Sequence, residues 1–297
     1  MSSRQKLLTS PDGTLIWAEA AGNASAPAIV FIHGLGCTAA AFDKQFEDLR
    51  LLKHLHLVRY EMRGHGRSGK PEDIESYRSI RHAEDFRVVC EAFQLHKPCM
   101  LGWSLGGCIA VDIVRYYGAD AVSGIIYLGG SVLSLKIGME SCISQRGRAL
   151  VASITSLDDE QLVMKGVKAF VEAFATDPKA IPLPIEFTLL GHLVLQPALV
   201  RHNSVVREQD DSKWLSEAKN IPILMIQGTK DVFMQYEIMI GWAKEIYNDV
   251  NVQMMQGVGH APQFERTEET NRLILSFVTR VAQPASNAYD RNLAAKL

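Results

Sequence analysis

Leu101-Gly102-Trp103-Ser104-Leu105-Gly106-Gly107 is the stretch on which the reading of this 297-residue chain turns. With Cys99 and Met100 before it, the apolar run predicts a strand over Cys99 to Trp103, and the amphipathic spacing after it predicts a helix through Gly107 to Tyr117. Between them the pattern G-x-S-x-G sets a serine on a tight turn, where the flanking glycines let neighbouring backbone come close. A serine hydroxyl is a poor nucleophile unless such a turn presents it beside a base. Ser104 is therefore the candidate nucleophile, and it is the strand before and the helix after, more than the letters themselves, that carry the assignment.

Working outward, Pro11-Asp12-Gly13 marks the turn of an N-terminal hairpin, and Ala28 to His33 reads as a buried strand ending at Gly34. A helix is expected from Ala39 to Leu52, a strand from His56 to Glu61 and a helix from about Ile80 to Leu95. Strands follow at Ser123 to Leu128, Pro222 to Gln227 and Val252 to Met255, with a closing helix over Glu268 to Val281. This alternation argues for an α/β fold with a mostly parallel central sheet flanked by helices. Between Ser131 and Trp214 the strand signal stops, and helical segments broken by Pro178, Pro182, Pro184 and Pro197 suggest an inserted helical cap. The expected organisation is a core of residues 1–130 and 215–283, a cap of 131–214 and a tail of 284–297. Apolar cap residues such as Phe170, Phe174, Phe187, Leu189, Leu190, Leu193 and Leu195 either line a pocket or pack on the sheet domain.

A base and an acid are needed to activate Ser104. Among nine histidines, His260 stands in Gly257-Val258-Gly259-His260-Ala261-Pro262, a loop after a strand and before the last helix. Asp231 follows the strand and turn Ile226-Gln227-Gly228-Thr229-Lys230 and completes the chain order Ser, Asp, His. Asp249 and Glu265 are weaker substitutes for the acid, and His192 and His202 are read as cap histidines.

Bulk properties narrow the rest. A formal net charge of -2 without a basic stripe argues against nucleic acid as a partner. No stretch reads as a bilayer-spanning helix and the N-terminus lacks a signal-like apolar run, so no stable membrane insertion is expected. Five cysteines, Cys37, Cys90, Cys99, Cys108 and Cys142, lack metal-ligand spacing and fit a reducing compartment; no metal or cofactor is implied. The chain ends in Ala295-Lys296-Leu297, a conservative variant of the Ser-Lys-Leu address, which makes the peroxisomal import receptor an expected partner; without that address the protein is expected in the cytoplasm.

These motifs resemble the α/β-hydrolase family, with matches from about Ala28 to Gly130 and again from Ile221 to Val281. Tyr60-Glu61-Met62-Arg63-Gly64-His65-Gly66-Arg67-Ser68 is similar to the family segment after its fourth strand, except that Glu61 stands where aspartate is usual. Arg63 and Ser68 are read as structural. The resemblance implies an oxyanion hole made by the Leu105 N–H and, in Phe31-Ile32-His33-Gly34-Leu35-Gly36, the Leu35 N–H. It also suggests a substrate pocket drawn from Gly34, Trp103, Val132, Phe187, Leu190, Val232 and Phe233. Epoxide hydrolases and haloalkane dehalogenases of this fold use an aspartate nucleophile, which Ser104 excludes, and no tyrosine lies between Tyr127 and Tyr236 to serve epoxide opening. The expected chemistry is hydrolysis of an ester, lactone or thioester of a small to medium apolar acyl compound through an acyl-enzyme. Carbon–carbon hydrolysis or acyl transfer on the same triad, and a ligand receptor with a slow site, remain alternatives.

Overall fold

A computed structural model describes residues 3–130 and 133–282. Eight strands form one sheet in the order β1-β2-β4-β3-β5-β6-β7-β8. They are β1 Arg4–Thr9, β2 Leu15–Gly22, β3 Ala28–Ile32, β4 His56–Tyr60, β5 Cys99–Trp103, β6 Gly124–Leu128, β7 Ile223–Gly228 and β8 Val250–Met255. Only the β1–β2 and β2–β4 pairs are antiparallel; β4 onward runs parallel. Residues of β5, β6 and β7 are buried throughout, as expected of strands covered on both faces.

Eight helices of nine residues or more are described: α1 Ser79–Ala92, α2 Ile109–Tyr117, α3 Gln145–Thr155, α4 Glu160–Glu172, α5 Leu183–Leu195, α6 Ala198–Val206, α7 Tyr236–Ile246 and α8 Thr267–Ala282. α1, α2 and α7 bury Phe86, Ile113 and Met239 on one face of the sheet. On the other face α8 contributes Ile274 and Phe277, together with side chains of the helical stretch between β6 and β7. The helix expected from Ala39 to Leu52 is broken, because Asp48 accepts hydrogen bonds from Arg50 N at 2.8 Å and Leu51 N at 3.0 Å and so caps a new helix over Leu49–His54. α7 lies between the last two strands, a stretch to which the sequence reading assigns no element.

The stretch between β6 and β7 holds α3 to α6 and a π-helical turn at Gly138–Cys142; among its described residues the only β-pairing is the bridge Ile143 to Met234. No single described helix is long and apolar enough to cross a membrane. Ser131, Val132 and the tail with Ala295, Lys296 and Leu297 lie outside the described residues.

Candidate active site

β5 delivers Ser104 onto a 3₁₀ turn, Ser104–Cys108, that leads into α2. Its backbone has φ +53°, a left-handed conformation that a non-glycine residue holds only under constraint. The constraint is visible in the glycines. A Cβ on Gly102 would come within 2.5 Å of Gly107, and one on Gly106 would fall on Ile32 O and within 2.7 Å of His33 O. Gly34 lies so close that a Cβ there would sit 3.1 Å from Ser104 Cβ. The sharp turn is thus wedged between β3 and the start of α2.

β7 and β8 bring in the other two residues. Asp231 Oδ1 accepts hydrogen bonds from Phe233 N at 2.8 Å and Met234 N at 3.2 Å, while Oδ2 accepts from Gln227 Nε2 at 2.9 Å. The same Oδ2 lies 2.8 Å from His260 Nδ1, with both side chains buried. A carboxylate only accepts, so Nδ1 carries the proton and donates it there, leaving Nε2 as the basic nitrogen. The Trp103 Nε1–H donates to His260 O at 2.9 Å, and the Phe233 ring packs on the imidazole with centroids 4.5 Å apart. Of the weaker acid candidates, Asp249 pairs with Arg280 at 2.7 Å and Glu265 accepts from Gly259 N at 2.6 Å, which shapes the histidine loop.

Ser104 and His260 open onto one cavity of about 70 Å³. Of the residues suggested for a pocket, Gly34, Trp103 and Phe233 line it, and the two residues suggested for the oxyanion hole, Leu35 and Leu105, border it too. Among the described residues the Leu35 amide has no hydrogen-bond acceptor, and the Leu105 amide lies in the first turn of its helix, where no intrahelical acceptor exists. Cys37 and Cys108 also line the cavity, but burial pushes the Cys108 thiol up to about 12 and Cys37 well above its usual value, so neither offers a thiolate.

Three pocket assignments need correction. Phe187 is 62% exposed on the outer side of α5, because the helix turns Leu189 and Leu193 inward instead. Leu190 is half-buried against the core cluster and does not line the cavity. Val232 is half-buried against the core cluster and does not line the cavity, where the turn after Asp231 places Phe233 instead. Val132 falls outside the described residues. The residues that sequence reasoning did not place are Leu135, Met139, Ile143, Val151, Val205 and Met234. Phe170 and Phe174, left between pocket and packing, do both: their rings lie 5.1 Å apart and face the cavity.

The loop carrying Leu35 is braced from both sides. His33 Nε2 accepts from Met62 N at 3.1 Å, and His65 Nε2 accepts from Gly36 N at 3.3 Å. From α5, Leu193 packs directly on Gly36, which has φ +65° and no room for a Cβ. His192 stacks on His65 with centroids 5.6 Å apart. Burial lowers the pKa of all three histidines, that of His192 to about 3, so they act as neutral acceptors. Arg63 and Ser68 are structural, as read: Arg63 pairs with Asp85 at 2.8 Å, and Ser68 Oγ donates to Glu61 O at 2.6 Å. Glu61 itself pairs with Arg67 at 2.8 Å.

Comparison with known proteins agrees with this architecture. The model of the alpha/beta hydrolase fold matches residues 27–154. A solved structure of a provisionally named aryl esterase from Burkholderia cenocepacia superposes with a TM-score of 0.84 at 29% identity, covering 94% of this chain and 99% of that one. This chain has the α/β-hydrolase fold. An AB hydrolase superfamily protein of Bacillus subtilis is 24% identical, over 84% of this chain and 90% of its own. Lipase 1 of Psychrobacter immobilis is 24% identical over 89% and 81%. Among the described residues no cluster of three or more His, Cys, Asp or Glu forms a metal site.

Proposed function

We propose that this protein is a serine hydrolase of esters with small apolar groups at the scissile bond. The observation that carries the reading is the hydrogen-bonded Asp231–His260 pair opening onto the same cavity as a left-handed Ser104. In this mechanism His260 Nε2 takes the Ser104 Oγ proton as Oγ bonds to the ester carbonyl carbon. The Leu35 and Leu105 amides receive the oxyanion, which collapses as the carbon–oxygen bond breaks and His260 protonates the leaving alcohol. Water then repeats the sequence on the acyl-enzyme, returning a carboxylic acid and free Ser104. Asp231 holds the tautomer and stabilises the imidazolium. The esterase and lipase names among the relatives favour esters over the alternatives of acyl transfer and carbon–carbon cleavage. The cavity favours compact, uncharged groups, since it is small, about 70 Å³, and lined almost wholly by apolar side chains.

Treating wild type and Ser104→Ala with a fluorophosphonate and weighing the intact proteins tests this. One adduct on wild type and none on the variant is expected, together with repeated turnover of a phenyl ester. Turnover that survives Ser104→Ala would remove the assignment, and a single turnover leaving His260 modified would favour a receptor.

A further inference from the structure

We propose that this hydrolase binds its ester in two arms, the leaving alcohol against Phe170, Phe174 and Phe233, and a longer acyl chain passing Met139 into a groove of mixed polarity between the π-helical turn and the end of α6. The proposal rests on the serine-hydrolase reading and adds the substrate class to it.

Direction follows from the chemistry. His260 must protonate the departing oxygen, so whatever packs round its ring meets the leaving group. That surface is aromatic: the Phe233 and Phe174 rings lie 4.5 and 6.2 Å from the imidazole centroid, and Phe170 lies 5.4 Å from Phe233. A compact aryl or alkyl alcohol suits it.

The other end of the cavity has a different wall. Leu135, Met139 and Val205 line the cavity and also border a groove of about 710 Å³. Gln209 ties that wall to the nucleophile turn, its Nε2 donating to Cys108 O at 2.7 Å and its Oε1 accepting from Leu135 N at 2.7 Å. Met139 sits on the π-helical turn, a local geometry frequent at functional sites, and an unbranched thioether side chain adjusts readily to what passes it. Three of the groove's charges are already compensated: Arg78 by Glu75 at 2.9 Å, Arg207 by Asp112 at 2.7 Å and Asp210 by Arg115 at 2.6 Å. Lys136, Glu140 and Glu208 line it as well, which leaves the groove one carboxylate in excess. Such a surface accepts a polar chain end that carries no negative charge and disfavours a carboxylate. The acyl group assigned is therefore of medium length, apolar near the carbonyl and polar but not anionic at its far end.

The test uses two ester series on wild type, Met139→Ala and Met139→Trp: phenyl esters of acids lengthening from acetic to dodecanoic, and acetate esters of alcohols lengthening in the same way. Met139→Trp is expected to lower the octanoate-to-acetate ratio of kcat/KM at least about tenfold. Met139→Ala should leave that ratio at or above its wild-type value, and the alcohol series should keep its wild-type profile in both variants. On wild type, an ω-hydroxyoctanoate ester should outpace the matching ω-carboxylate. Fluorophosphonate labelling of Ser104 in each variant certifies a folded site. A Met139→Trp effect confined to the alcohol series, or absent from both, overturns the two-arm assignment while leaving the hydrolase reading standing. Wild type that hydrolyses neither series and resists fluorophosphonate brings down the hydrolase reading, and this assignment with it.

Discussion

The sheet domain and the helical stretch between β6 and β7 solve burial in different ways. In the sheet domain, fully buried Arg63 meets two carboxylates, Asp85 at 2.8 Å and Asp12 at 2.7 Å. In the helical stretch, buried Arg201 gives its guanidinium to main-chain carbonyls instead, Leu193 O at 2.5 Å and Gln196 O at 3.1 Å, and buried Arg207 finds its carboxylate, Asp112, only across in the sheet domain at 2.7 Å. Eleven of the seventeen exposed large hydrophobic side chains among the described residues also fall in this stretch, so apolar character there does not report burial. The lesson concerns where chemistry can be specified. The sheet domain fixes reacting groups through backbone that tolerates no change, whereas the helices offer adjustable apolar surface to the substrate. The difference can be broken or sharpened by substitution.

The sharpest case on the rigid side is Asp231→Asn. An amide can still accept from Phe233 N and Met234 N, but it then turns its NH₂ toward His260, forcing the proton onto Nε2 and removing the base. We expect kcat to fall by about 10⁴-fold with little change in thermal midpoint. A fall of less than about tenfold would mean that His260 does not depend on this carboxylate. Next in size is Gly106→Ala, whose Cβ would meet the main-chain oxygens of Ile32 and His33, neither the end of a flexible side chain. A stability loss above about 3 kcal/mol is expected in urea unfolding. A loss below 1 kcal/mol, by order of magnitude, would show that the nucleophile turn is less constrained than its geometry indicates.

This division also explains what the sequence could disclose. The strands and Ser104, His260 and Asp231 were legible because local rules coincide there: an apolar run, a glycine-bounded turn and a fixed chain order. The helix over Ala39 to Leu52 was misread because one carboxylate, Asp48, caps a new helix inside an unbroken apolar pattern. Phe187 was misplaced for a different reason. α5 is apolar all round, so periodicity cannot tell the side facing Gly36 from the side facing solvent. Met139 and Val205 gave no signal, since their place at the cavity depends on long-range packing. The histidine brace was equally hidden, because His33, His65 and His192 meet only once α5 lies over the loop.

That brace joins the two regions and predicts a pH dependence. Burial, then the nearby charges of His33 and Lys70, lower His192 from 6.5 to about 3. The unfolded chain therefore takes up a proton below pH 6.5 that the folded protein refuses, and stability falls as pH drops from there toward 3. Above pH 6.5 the ring is neutral in both states and contributes no slope. His192→Gln should flatten the dependence by up to about 1.4 kcal/mol per pH unit, read as urea midpoints compared between neutral and mildly acidic buffer. Parallel curves for wild type and variant would show that His192 is solvated as α5 moves.

The smallest effect is expected from Phe187→Ser. Leu183, Phe187 and Leu195 recur at multiples of four along the outer side of α5, with exposures of 59%, 62% and 81%, so the ring surrenders little buried area when removed. Serine and phenylalanine have similar helix propensity, so the backbone adds no appreciable term. Stability should change by less than about 0.5 kcal/mol, and the two ester series should be indistinguishable from wild type. The measurement is informative because it isolates the outer side of α5 from the inner side that carries His192 and Leu193. Lost activity at unchanged stability would mean that the exposed side takes part in capturing substrate, and the assignment of inner residues to the site and outer residues to solvent would have to be abandoned.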